Sequence, residues 1–130
     1  MLKKGKTNKV IYLDSDLYNK VKAISESINF SLSGLIENIV IYVRTHPEFV
    51  RTGIVVTYGK QERKAVSLSL TDSIIEECTK SADSMSLSFN RYLKILLCDF
   101  LVAPEIVQKD ILLVRYTYQP IIIETMEEGQ

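Results

Sequence analysis

Sliding the chain against itself by 57 positions superposes it on itself without a gap. HPEFVRTGIVV (46–56) falls on APEIVQKDILL (103–113), so Pro47 meets Pro104, Glu48 meets Glu105, Val50 meets Val107 and Ile54 meets Ile111. Upstream at the same offset Leu13 meets Leu70, Ser27 meets Ser84 and Ser31 meets Ser88. The apolar positions stay in phase throughout, with Leu17 on Ile74, Val21 on Cys78, Leu35 on Tyr92, Ile36 on Leu93 and Ile39 on Leu96. Self-similarity at a fixed period means that one structural unit is built twice. In 130 residues the two copies make one compact domain or two very small ones.

Each copy opens with a short alternating segment, residues 8–13 and 65–70. Val66, Leu68 and Leu70 point one way; Ala65, Ser67 and Ser69 point the other. Taken alone, this alternation describes a half-buried surface strand, whose side chains have period two. A first helix follows over about 15–28 and 72–85, where Leu17, Val21, Ile24 and Ile28 form one apolar stripe. Asp14 or Ser15 caps the first copy, and Thr71 or Asp72 the second. Asn29 and Ser86 end these helices, because Asn tolerates a left-handed cap. Ser31 and Ser88 then cap a second helix running to about Arg44 and Leu101, apolar on most of its circumference and hence the buried one. After Pro47 and Pro104 the reading places an extra strand in each copy, over 54–58 and 111–118.

Strand, helix, tight turn, helix in about 40 residues resembles the ribbon–helix–helix family of DNA-binding repressors, the Arc and MetJ type. Residues 8–44 and 65–101 carry the match, and INFSLSGLI and MSLSFNRYL resemble the family's turn into its second helix. The tandem layout is similar to that of archaeal-virus regulators. The fold so implied is mainly α with a small antiparallel β ribbon. Two fused ribbon–helix–helix units form an intramolecular pseudo-dimer, and each unit is followed by an extra strand. The organisation reads as a basic arm (1–7), one repeat with its extra strand (8–63), a second (64–123) and an acidic tail (124–130). Fusion has a physical motive. A unit of this size buries little surface alone, and its lone strand leaves an unpaired edge.

The resemblance also implies a function, a transcription regulator that lays the ribbon in the major groove of double-stranded DNA. Base contacts would come from the outward residues Asn8, Val10, Tyr12, Ala65, Ser67 and Ser69. Phosphates would be held at the N-termini of the two second helices by Ser31, Ser33, Ser88, Asn90 and Arg91, with Lys3, Lys4 and Lys6 adding sequence-independent attraction. Self-assembly through the extra strands is a further expectation. The alternative is a protein-interaction or structural protein, antitoxin-like or virion-associated, that keeps the fold without reading DNA.

Charge and composition set the bounds. The formal net charge is zero, but residues 1–65 carry eleven Lys/Arg and six Asp/Glu, and residues 66–130 carry five and ten. The sum hides a dipole, so local fields matter more than the total. Hydrophobic residues at 46% and charged residues at 25% describe a globular chain. The basic start has no signal-peptide core and no apolar run is long enough for a bilayer, so the expected setting is the cytoplasm, the host's if the protein is viral. No cofactor, metal or small-molecule substrate is called for. Cys78 and Cys98 make no zinc or redox pattern, and His46, the single histidine, sits at a helix end beside Pro47. Catalysis is not expected, since the chain lacks GxSxG, P-loop and HExxH motifs.

Overall fold

The computed structural model of the chain describes residues 5–50 and 62–114. They form a mainly helical structure with one two-stranded antiparallel sheet. The order is β1 (Lys6–Asp14), α1 (Ser15–Ser27), α2 (Leu32–Thr45), a single 3-10 turn (Pro47–Phe49), β2 (Arg63–Thr71), α3 (Asp72–Ser84), α4 (Phe89–Val102) and α5 (Glu105–Leu112). Strand–helix–helix thus occurs twice, at the boundaries the periodicity predicts to within about two residues.

β1 pairs with β2 from Lys6↔Thr71 to Asp14↔Arg63. At the centre Val10 faces Ser67, its own counterpart 57 positions on. A local two-fold relation between the strands therefore passes through that pair. One face of the ribbon is closed: Ile11, Leu13, Val66, Leu68 and Leu70 are all buried against the helices. α2 and α4 fill the middle of the core with Leu35, Ile36, Ile39, Leu93, Leu96 and Phe100, each fully buried. α1 and α3 add Leu17, Val21, Ile74 and Cys78 from their single apolar stripes. All these residues belong to one continuous cluster, so the two repeats share a core rather than each having its own.

The turns obey the local chemistry. Asn29 and Ser86 hold φ of 59° and 57°. In each copy the next N–H reaches back to close the helix end, Phe30 to the Ser25 carbonyl at 2.7 Å and Leu87 to the Ala82 carbonyl at 2.8 Å. Ser31 and Ser88 are side-chain caps, accepting from the Gly34 N–H at 2.9 Å and the Arg91 N–H at 3.1 Å.

The starts of α1 and α3 differ from expectation. Asp14 and Thr71 occupy the cap positions, yet neither side chain caps. The first helical N–H groups bond instead to the lead-in of the opposite strand. The Ser15 N–H reaches the Glu62 carbonyl at 2.9 Å, and the Asp72 N–H reaches the Gly5 carbonyl at 2.8 Å. Antiparallel pairing brings each strand's overhang to the other's helix, and this frees Asp14 for an ion pair with Lys94 at 3.0 Å.

The expected extra strands also need revision. Residues 54–58 lie outside the described residues. The second, 111–118, is overturned where it is described: Ile111 and Leu112 close α5, and residues 115–118 lie outside the description. Val107 and Ile111, four apart, turn one face of α5 to the core. Gln108 Nε2 donates to the Phe100 carbonyl at 2.8 Å, which ties α5 to the end of α4. Asn38 Nδ2 donates to the Leu112 carbonyl at 3.3 Å and binds the far end of α5 to α2. A cross-repeat ion pair joins Arg44 on α2 to Glu77 on α3 at 2.7 Å, and this bond holds the guanidinium pKa above its ordinary value. No helix among the described residues is long and apolar enough to cross a membrane.

Candidate nucleic-acid interface

The outer face of the ribbon is open. Asn8, Val10, Tyr12, Ala65, Ser67 and Ser69 are all exposed. The register sets them in cross-strand pairs: Asn8 opposite Ser69, Val10 opposite Ser67, Tyr12 opposite Ala65. All six side chains proposed from the alternation therefore share one face. Its ends are Lys6 opposite Thr71 and Asp14 opposite Arg63. Lys6 is thus a strand residue rather than part of a free arm, while Lys3 and Lys4 lie outside the described residues.

A strand pair standing alone leaves outward N–H and C=O groups at both edges. Here the starts of α2 and α4 cover them, each helix serving the strand of the other repeat. On the β1 edge, Asn90 Oδ1 accepts from the Tyr12 N–H at 2.6 Å and Asn90 Nδ2 donates to the Tyr12 carbonyl at 3.1 Å. On the β2 edge the counterpart of Asn90, Ser33, accepts from the Ser69 N–H at 3.0 Å. One helical turn further on, Glu37 accepts from the Thr71 N–H at 2.7 Å. Its counterpart Lys94 meets the Asp14 carboxylate. These bonds fix the helix N-termini beside the ribbon, where their first-turn N–H groups have no intrahelical acceptor.

Of the residues proposed for phosphate contact, Ser31, Ser88 and Arg91 are exposed beside the ribbon. The two serine oxygens already accept a capping bond, which leaves each hydroxyl its O–H to donate. Asn90 acts differently. Both ends of its amide hold Tyr12, so its side chain positions the helix on the strand. Ser33 does the same with its oxygen.

The sequence reading missed the groove between β1 and the start of α4. This opening of about 610 Å³ is lined by Lys9, Arg63, Arg91 and Lys94 together with Tyr12 and Phe89 among others. Lys9 lies 5.4 Å from the centre of the Phe89 ring, a cation–π distance. Arg63 and Arg91 form no ion pair among the described residues. A signal was present. Lys94 sits three residues after Arg91 on one helix face, and Arg63 shares the strand parity of Ala65. An open, cation-lined concavity flanking an exposed strand pair suits a polyanion that passes over the strands.

No protein-family model matches the chain, and comparison with curated proteins and with solved structures found no match.

Proposed function

We propose that the chain is a sequence-specific double-stranded DNA-binding regulator, built as two fused ribbon–helix–helix units in an intramolecular pseudo-dimer. The observation that carries this reading is the exposed outer face of β1 and β2, with its six outward side chains in cross-strand register and a helix N-terminus on either side. A two-stranded ribbon has the width of a B-DNA major groove. Ser67 and Ser69 suit either hydrogen-bonding sense, Asn8 suits adenine, and Val10 and Tyr12 suit a thymine methyl. The helix N-termini and the basic groove lie where flanking phosphates would pass. In this reading the chain performs no catalysis.

Fluorescence anisotropy with a random duplex pool, titrated at several salt concentrations and followed by selection, tests the proposal. Binding that weakens with salt, together with an enriched motif, supports it. Absence of binding at low salt overturns it.

A second reading rests on Val10 and Tyr12, which are 55% and 51% exposed at the centre of the face. Two adjacent apolar side chains in water also suit a protein partner laid over the ribbon. Co-purification of a polypeptide that competes with DNA for this face would favour it.

A further inference from the structure

The two ends of the ribbon differ chemically, and the 57-residue offset makes the difference countable. The groove at the α4 end holds Lys9, Arg63, Arg91 and Lys94. Their counterparts at the α2 end are Val66, Lys6, Gly34 and Glu37, so only one of the four cations is repeated. Lys94 is neutralised by Asp14 at 3.0 Å, which leaves Lys9, Arg63 and Arg91 to set the charge of the α4 end. At the α2 end Glu37 is 4% exposed and turned onto the Thr71 N–H. The Asp72 carboxylate also lies there, accepting from the Thr7 hydroxyl at 2.6 Å. Lys6 therefore shares its end with two carboxylates.

The exposed face is graded in the same direction. Tyr12 opposite Ala65, next to the basic end, offers carbon and a phenol. Asn8 opposite Ser69, next to the end where the described charges are Lys6, Glu37 and Asp72, offers amide and hydroxyl groups. Arginines near a phosphate add affinity without regard to sequence, whereas amide and hydroxyl groups on a base edge discriminate.

Resting on the DNA-binding reading above, we infer that the chain binds DNA with a fixed polarity: the Arg63–Arg91 end anchors the phosphate backbone and the Asn8–Ser69 end reads bases. A two-fold symmetric binder selects a palindrome because its halves make the same contacts. This chain has the two-fold backbone without the two-fold chemistry, so its target is asymmetric and only one flank is held strongly.

The test is phosphate-ethylation interference on the duplex enriched by selection, with wild type and with three single-site variants. Interfering phosphates are expected to cluster on one side of the site. Arg63→Gln and Arg91→Gln should each erase part of that cluster and reduce the slope of log affinity against log salt by about 0.9 for each phosphate no longer neutralised. Lys6→Gln should leave the cluster in place. A palindromic motif with equal interference on both flanks, or a Lys6→Gln effect as large as that of Arg63→Gln, overturns the polarity while the DNA-binding reading stands. Failure of the wild type to retain duplex at low salt removes both.

Discussion

Asn90 on α4 grips both main-chain groups of Tyr12 on β1, accepting from its N–H at 2.6 Å and donating to its carbonyl at 3.1 Å. Asn90 and Tyr12 are 78 positions apart and belong to different repeats. One amide side chain stands in for a third strand's backbone at that point of the ribbon edge.

Removing it should therefore be costly for a residue near the surface. Asn90→Ala deletes two hydrogen bonds, each with a net contribution of about 0.5–1.5 kcal/mol. The expected loss is about 1–3 kcal/mol in urea unfolding, seen as a lower midpoint at unchanged slope. Ser33→Ala removes one bond, to the Ser69 N–H, and should cost about half as much. Equal effects would mean that the two edges are not held as the hydrogen bonds indicate.

Ser67 and Ser69 should behave in the opposite way. Their side chains are exposed on the outer face, so Ser67→Ala/Ser69→Ala should change stability by less than about 0.5 kcal/mol. If each hydroxyl donates to or accepts from a base edge, each is worth about 1 kcal/mol there. The doubly substituted protein should then lose about fivefold per site on the selected sequence, while affinity for random duplex stays nearly level. An equal loss on both DNAs removes these serines from base reading.

The contrast between Asn90 and the two serines marks what the sequence could and could not disclose. Element order, helix ends and the inner and outer faces of the strands were legible, because alternation, apolar stripes and capping residues are local signals repeated twice in phase. The run Ile111-Leu112-Leu113-Val114 was misread as strand. Four apolar residues in a row carry no period, and the outcome depended on Val107 meeting the core and Gln108 reaching Phe100. The cross-repeat partners were illegible for a different reason. Asn90, Glu37 and Lys94 act on the opposite strand, and nothing local shows which backbone edge a polar helix residue will meet. The basic groove shares that origin, since Arg63 and Arg91 become neighbours only after β2 has paired.

The shared core gives a test of how far the two repeats are independent. Leu93 on α4 and its counterpart Ile36 on α2 are both fully buried in the same cluster. Leu93→Ala and Ile36→Ala should each cost about 2–5 kcal/mol. Each should shift one cooperative transition rather than split it, because neither repeat has a core that survives the other's unfolding. Circular dichroism and tyrosine fluorescence recorded through the same urea titration should coincide. Two resolved transitions in either variant would show separately folding repeats.

Cys78 offers a pH-dependent readout of the same core. It is 1% exposed on α3, and burial, helped by the nearby Glu77 carboxylate, pushes its thiol from an ordinary 9.0 up to about 12. The folded protein therefore keeps the proton at pH values where the unfolded chain releases it. Stability from this group is fully present below pH 9.0 and is lost as the pH rises toward about 12. The gradient for one such group is at most about 1.4 kcal/mol per pH unit. Burial also raises the Tyr92 phenol above its ordinary 10.0, so the thiol is best isolated between about pH 9 and 10, below the range where an unfolded tyrosine titrates fully. In that interval wild-type unfolding free energy should fall with pH, and in Cys78→Ala, though less stable at neutral pH, it should fall less steeply. A gradient that persists unchanged in Cys78→Ala would assign the alkaline loss to another group.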